Sequence, residues 1–517
     1  MLYLAFIFHM HQPYYKNLLT QEVPSPWVRL HATKDYSDMV LILERFPQIH
    51  QTFNLVPSLV EQLEDYIENK SKDTFEIVSE KKNEELTPAD KDFIRANFFK
   101  IDPLRVISHM PRFYQLYGKF LDNSHFSDQD YLDLVVCFNL AWIDPYFRQN
   151  SPELKAIENK DRFFSEEDKQ TVLKIQKEII RQTLPTYKRF AEKGQIEITV
   201  TPYYHPILPL LYNTKIALEA NPKTAIPKGL NFSYPQDAQV QVSSALDFMA
   251  VRLSSRPQGM WPSEEAVSEH ILPFIIQSGI KWVVTDEAIL FKSVNKKRQA
   301  KMLYQPYKLE REDGVLNIVF RDRNLSDLIS FIYHGWKEED AVNDFMAHLK
   351  NIHHAFKNED CLVTIAMDGE NAWEYYANDG HDFLELLYQS ISDADYIKTS
   401  TISEYLETHP PKRNIKTLKA GSWINGDFQK WIGNPYKNKA WEYLIQARKL
   451  LANPRSPLPN PELAWKQMYI LEGSDWFWWY GDKQPEFDML FRMHLSNFYR
   501  IMNEEIPAYL NAPIERA

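Results

Sequence analysis

The chain is poor in what would tie it to a disulfide scaffold, a membrane or nucleic acid. Two cysteines, Cys137 and Cys361, occur in 517 residues. Each sits inside an apolar run, so a disulfide framework and a cysteine metal site are unsupported and two buried thiols are expected. No segment reaches the ~18 uninterrupted apolar residues that a membrane helix requires. The apolar start, residues 2–8, lacks a basic region ahead of it and is interrupted by His9, so no signal peptide is expected and a cytoplasmic location is the default. Positive charge is in deficit: the net charge is -11, which argues against nucleic acid or an acidic membrane as the main partner. Internal repeats at solenoid spacing and low-complexity tracts are missing too.

What is present is a soluble composition, 44% hydrophobic and 25% charged, on a chain long enough for several domains or for one barrel of about 250 to 400 residues with an appendage. Aromatics make up 14%, with 13 Trp and 28 Tyr. Flat apolar rings with a polar edge suit the stacking of sugars, although most of them individually belong in a core.

Strands and helices alternate along the chain. Residues 3–8 predict a strand buried on both faces that delivers His9-Met10-His11-Gln12-Pro13 into a loop. A short run at 49–53 precedes a helical pattern from 58 to about 69, and from about 70 to 193 the pattern turns to long amphipathic helices, including 166–192, broken at Pro103, Pro111, Pro145 and Pro152. This insertion is either a cover for a site or scaffold. Strand alternation resumes at 196–201 and leads into Pro202-Tyr203-Tyr204-His205-Pro206, and a helix follows over 237–253. Further strands are expected at 281–286, 316–320 and 362–367, with helices at 264–277, 382–392, 441–452 and 461–471. The break at His409-Pro410-Pro411 suggests a domain edge. About seven strands separated by helices predict an α/β fold: a seven-stranded (β/α) barrel over 1–408 that includes the insertion, then a mainly helical domain over 409–517.

Two acidic stretches fall where apolar runs stop. Gly259-Met260-Trp261-Pro262-Ser263-Glu264-Glu265 joins a tight turn, a flat aromatic and a carboxyl pair; Ala366-Met367-Asp368-Gly369-Glu370-Asn371 supplies a second carboxyl at a strand end. Glycoside cleavage usually needs two such groups. Glu264 and Glu265 are also what the first turn of a helix favours, and Glu265 and Glu370 read better as supporting or helix-start residues than as reacting ones. The charged run Arg321-Asp322-Arg323-Asn324-Leu325-Ser326-Asp327 either orients a reacting group or forms a structural ion-pair cluster.

These residues resemble glycoside hydrolase family 57, the α-glucan enzymes, and most of all its α-amylase and amylopullulanase branch. Five short blocks mark that family. Candidates stand in order at His9 to Pro13, 194–206, Gly259 to Glu265, Met367 to Asn371, and around Trp423 to Trp431. The run Glu472-Gly473-Ser474-Asp475-Trp476-Phe477-Trp478-Trp479-Tyr480-Gly481-Asp482 also reads like the branch. The resemblance implies a seven-stranded barrel closed on one side by a helical domain, with Glu264 as nucleophile and Asp368 as acid/base. It also implies retention of configuration, which places the carboxyls about 5 to 5.5 Å apart, against roughly 6.5 to 9.5 Å for inversion. Asp368 must then hold its proton near neutral pH, helped by apolar surroundings or by the charge on Glu264. His9, His11, Gln12, His205 and Asp475 are candidates for contacts to sugar hydroxyls, and Trp261, Trp373, Trp423 and Trp431 for stacking. An α-glucan or maltooligosaccharide is the expected partner, with no cofactor.

Three alternatives stay open. Pro262-Ser263 tilts the reading toward hydrolysis, leaving a 4-α-glucanotransferase as the near alternative. A second is a glucan-binding protein without turnover. The third is a metal hydrolase built on His9-x-His11, disfavoured because Gln12-Pro13-Tyr14 follows where related zinc sites want an aspartate.

Overall fold

The computed structural model describes residues 1–515 except 254, 358 and 371. Among these residues ten strands lie in one sheet: β1 (Leu2–Met10), β2 (Gln51–Leu55), β3 (Ile196–Val200), β4 (Gly259–Met260), β5 (Trp282–Asp286), β6 (Tyr307–Arg311), β7 (Gly314–Arg321), β8 (Cys361–Asp368), β9 (Ile397–Thr399) and β10 (Arg413–Asn414). Seven of them run parallel in the order β7-β5-β4-β3-β2-β1-β8. The remaining three sit at the periphery: β6 forms an antiparallel hairpin with β7, β10 adds to β6, and β9 pairs with the first residues of β1. β1 lies between β2 and β8, and its apolar run is buried along nearly its whole length, as a parallel strand covered on both faces requires.

The expected seven parallel strands are therefore present, but the ring is not closed. Among the described residues no ladder joins β7 to β8. That seam is bridged instead by Asp322 N–H to the Thr364 carbonyl at 2.8 Å and by Ala366 N–H to Ser326 Oγ at 3.1 Å. The chain turns into the helix Arg323–Asp327 directly after β7, capped by the Asp322 side chain, which takes its backbone out of reach of β8.

Local chemistry accounts for the helices that frame this sheet. The helix Glu166–Glu192 starts where Ser165 and Asp168 bond each other's backbone N–H groups, a reciprocal cap. Pro111, Pro145 and Pro152 each stand at the start of a helix, where the missing N–H costs nothing. The expected helix over 264–277 is not formed as such. A 3₁₀ turn, Ser263–Glu265, and a second, Glu269–Ile271, precede the short helix Leu272–Gln277, because Glu264 and Glu265 take left-handed φ of 59° and 52°.

Residues between 75 and 179, with Leu30, form an apolar core of their own. The helices Pro435–Ala452, Pro461–Leu471 and Pro485–Ile501 bury their apolar faces in the same core as the sheet. Cys137 and Cys361 are both free and buried. Among the described residues no helix is long and apolar enough to cross a membrane.

Candidate active site

Strand register brings the polar groups together. Asp368, the last residue of β8, pairs with His9 of β1, and His9 pairs with Asn54 of β2, which pairs with Thr199 of β3. One row across four parallel strands is thus polar beneath the carboxyl ends, where a parallel sheet presents its chemistry. His9 Nδ1 donates to Asn54 Oδ1 at 2.6 Å, Asn54 Nδ2 donates to Thr199 Oγ1 at 3.1 Å, and the Thr201 hydroxyl donates to Asn54 Oδ1 at 2.8 Å. With Nδ1 donating, His9 Nε2 is an acceptor, and His205 Nε2 supplies the proton at 3.2 Å. His205 Nδ1 then accepts from the Ser474 hydroxyl at 2.8 Å. Burial pushes His9 down to about 3 and His205 well below the ordinary value, with the charge of His11 adding to both. Both rings are neutral at physiological pH.

Glu264 reaches this floor from a constrained turn. β4 is only two residues long, and Gly259 opens it because a Cβ there would meet the Trp282 ring at 2.3 Å. Two successive non-glycine residues in the left-handed region follow, each costing about 1 to 2 kcal/mol in backbone strain. Glu264 is 8% exposed; its Oε2 accepts from Trp423 Nε1 at 2.7 Å and its carbonyl accepts from Trp423 N–H at 3.1 Å. Burial pushes the Glu264 carboxyl well above the ordinary glutamate value. The charge of Asp368 adds to the rise and the Trp423 hydrogen bond opposes it. The charge of Asp368 is thus felt at Glu264, as two carboxyls close to one cleft require.

Trp423 is itself held from both sides. Trp261 meets it edge to face at 5.4 Å, and the Arg321 guanidinium lies over its ring at 5.1 Å. Arg321 in turn bonds Asp327 at 2.7 Å. Arg323 and Asp322 serve the scaffold, binding Asp286 and the pair Arg298 and Tyr304 respectively. The charged run after β7 is thus divided between orienting Trp423 and bracing the fold.

Glu264 and Asp368 line one cavity of about 450 Å³ together with His9, His11, Gln12, His205, Trp423 and Asp475. His11 Nε2 bonds Asp475 Oδ1 at 2.8 Å, and its ring stacks on His205 at 3.9 Å. Gln12 donates to Glu370, whose carboxyl burial pushes up to about 8. A second cavity of about 720 Å³ adjoins the first and shares Asp368, Trp423 and Trp478 with it; Arg321, Phe331, His334 and Tyr375 line its far side, over the open seam.

Three expected stacking residues lie elsewhere. Trp261 is fully buried beneath the cleft, parallel to the His9 ring at 4.9 Å. Trp373 is buried and donates to the Gly369 carbonyl at 2.9 Å, bracing the turn after Asp368. Trp431 is fully buried against Trp478, inside the core of the C-terminal helices. None of the three touches the cavities, so each supports a wall rather than forming it. Asn371, at the end of the fourth block, lies outside the described residues. Sequence reasoning missed Asn54 and Thr201, which become visible only through strand register, and Trp478 and Trp479, which sit in a motif already singled out.

Donor atoms of His11, His205 and Asp475 lie within 4.8 Å of one another, so this corner is where the cleft could hold a cation. Both nitrogens of His205 and both of His9 are engaged in hydrogen bonds, which leaves His11 and Asp475 with lone pairs to offer. That is a thin donor set for zinc.

An α/β protein with its polar groups gathered at the carboxyl ends of parallel strands is the class that fold and cleft define. The chain belongs to glycosyl hydrolase family 57, whose family model matches residues 5–417. It is 27% identical to "Alpha-amylase 1" of Dictyoglomus thermophilum over 144 residues, which is 28% of this chain and 17% of that relative. It is 23% identical over 245 residues to a 4-alpha-glucanotransferase of Thermococcus litoralis, 46% of this chain and 31% of that one. In both cases the matched stretch spans less than a third of the relative. The fold is similar to that of a family 57 branching enzyme from Thermococcus kodakaraensis, with a TM-score of 0.62 and 16% identity, covering 98% of this chain and 93% of that one.

Proposed function

We propose that this chain is a retaining α-glucan hydrolase in which Glu264 is the nucleophile and Asp368 the acid/base. The observation that carries the reading is the shared cavity: Glu264, gripped by Trp423, and Asp368, at the end of β8, line one space floored by neutral histidines. In the first step the Glu264 carboxylate attacks the anomeric carbon while Asp368 gives its proton to the departing glycosidic oxygen. In the second, Asp368 takes a proton from water, which displaces Glu264 from the sugar. The raised Glu264 carboxyl suits a pair that carries one proton between them in the empty cleft. Positive charge developing at the anomeric carbon draws Glu264 to its ionised form. His11, whose buried Nδ1 has no hydrogen-bond partner among the described residues, has capacity left for a sugar hydroxyl. The cavity shared with Glu264 takes the sugar that becomes bound. The larger one, which meets Asp368 but not Glu264, takes the departing chain.

Anomer-resolved analysis of products from linear and branched glucans tests this. Net retention, with products shorter than the donor, is the expected result. Inverted products would overturn the Glu264 nucleophile, and products longer than the donor would favour the glucanotransferase reading.

Trp423 offers a second measurement. Its N–H stabilises the ionised form of Glu264, a charge-assisted bond of about 1.5 to 3 kcal/mol. Trp423→Phe is expected to lower kcat/KM by roughly ten- to a hundredfold and to move the acid limb of the kcat/KM profile to higher pH, because the carboxylate loses its donor and holds its proton longer. A profile with an unmoved acid limb would separate Trp423 from the titrating group.

A further inference from the structure

Away from the cleft, three chain segments meet at a buried group of oxygen and nitrogen donors. Asp38 opens the short helix Asp38–Leu41 after β1, Asp144 caps the helix Pro145–Asn150 in the insertion, and His381 opens the helix His381–Ser392 beyond β8. One donor atom from each lies within 4.8 Å of the other two. His381 Nε2 stands 2.9 and 3.0 Å from the two oxygens of Asp144, and Asp144 Oδ1 also accepts from Tyr146 N–H. Asp38 is 4% exposed, and its Oδ1 has no hydrogen-bond partner among the described residues.

A protonated His381 clamped between two aspartates accounts for Asp144 but not for the bare oxygen of Asp38, and a buried polar atom left without a partner is costly. Asp35 and Asp379 are buried close by, and the bases that meet them are His31, at 2.6 Å from Asp35, and Lys34, at 2.5 Å from Asp379. A divalent cation supplies the missing partner for Asp38. The spacing also suits one. At metal–ligand distances of about 2.0 to 2.2 Å, neighbouring donors on an octahedral ion lie about 3 Å apart and opposite ones about 4.2 Å. The His381–Asp144 separation already matches neighbouring positions, and a donor oxygen of Asp38 lies within 4.8 Å of both.

We propose that Asp38, Asp144 and His381 bind a divalent first-row transition-metal cation of the zinc or manganese class, with water completing its shell. Two carboxylates and an imidazole, with no thiolate, favour such ions over soft ones. The His381 side chain is 17% exposed and gives the ion a way in. Because the ligands come from the segment after β1, from the insertion and from the segment after Asp368, the ion would tie the insertion to the chain that follows the proposed acid.

The test uses the full-length chain stripped with a chelator and dialysed, then titrated with zinc chloride and, separately, with manganese chloride. Expected are one bound equivalent by metal analysis and a rise in melting temperature on the order of 3 °C at saturating metal. Asp38→Asn should abolish both, and Asp475→Asn, in the cleft, should leave both intact. Cobalt(II) gives a readout that does not depend on melting: a visible d–d band expected in the native chain and lost in His381→Gln. No stoichiometric binding of either metal would overturn the proposal. So would binding that survives Asp38→Asn and disappears in Asp475→Asn, since that ion would sit in the cleft.

Discussion

Glu264→Gln is expected to lower kcat on α-glucans by roughly three to five powers of ten while leaving the fold at least as stable as before. The amide keeps the shape and can still accept from Trp423 Nε1, but it cannot form the glycosyl bond. The stability half follows from the direction of the Glu264 shift. Its carboxyl is raised in the folded chain by burial and by Asp368. Below the ordinary glutamate value both folded and unfolded chains hold the proton and the group carries no penalty. As pH climbs past that value the unfolded chain ionises freely and the folded one resists, so stability is lost. Melting curves of the two proteins should therefore coincide at low pH and separate toward neutrality, with the variant equal or higher. A variant that melts lower at neutral pH, or that keeps near-normal turnover, would remove Glu264 from the role assigned to it.

Asp368→Asn separates the acid from the nucleophile. On a natural glucan the departing oxygen needs a proton, and losing a positioned acid costs about 10²- to 10⁴-fold. On an aryl glycoside with a strongly acidic phenol the leaving group needs none, so the first step should run at close to the native rate and the bound intermediate should accumulate as a burst. The comparison is made by pre-steady-state kinetics on both substrates. Equal losses on the two would assign Asp368 to something other than proton transfer.

Much of the scaffold can be read from residue order because the signals are local. The apolar run at 3–8 can only be a covered strand, and it is one, extended to Leu2–Met10. Ser165 with Asp168 starts the helix Glu166–Glu192 where the pattern places it, and Pro461 does the same for Pro461–Leu471. The site was legible in its parts and not in its assembly. Glu264-Glu265 after Pro262-Ser263 has the composition of a helix start, and nothing in composition announces two consecutive left-handed residues; tertiary contacts from Trp423 and Thr285 hold that turn. His9 and Asn54 become neighbours through the register of β1 with β2, a long-range quantity that no local pattern carries. Trp261 beside a carboxyl looked like a platform for sugar. It is a fully buried ring under His9, since a turn that leaves the sheet at this point directs its largest side chain inward.

The separate apolar core of the segment between β2 and β3 bears on how the chain assembles during synthesis. β2 and β3 are direct neighbours in the sheet although the whole insertion lies between Leu55 and Ile196. Joining distant strands through a floppy tether is slow, since closure entropy must be overcome before any contact rewards it. Here the intervening residues can collapse on their own core as they leave the ribosome, and the helix Glu166–Glu192 that finishes the insertion feeds straight into β3. The insertion thereby acts as a jig: once folded, it presents its two ends side by side, and a long-range parallel pairing becomes a short docking step.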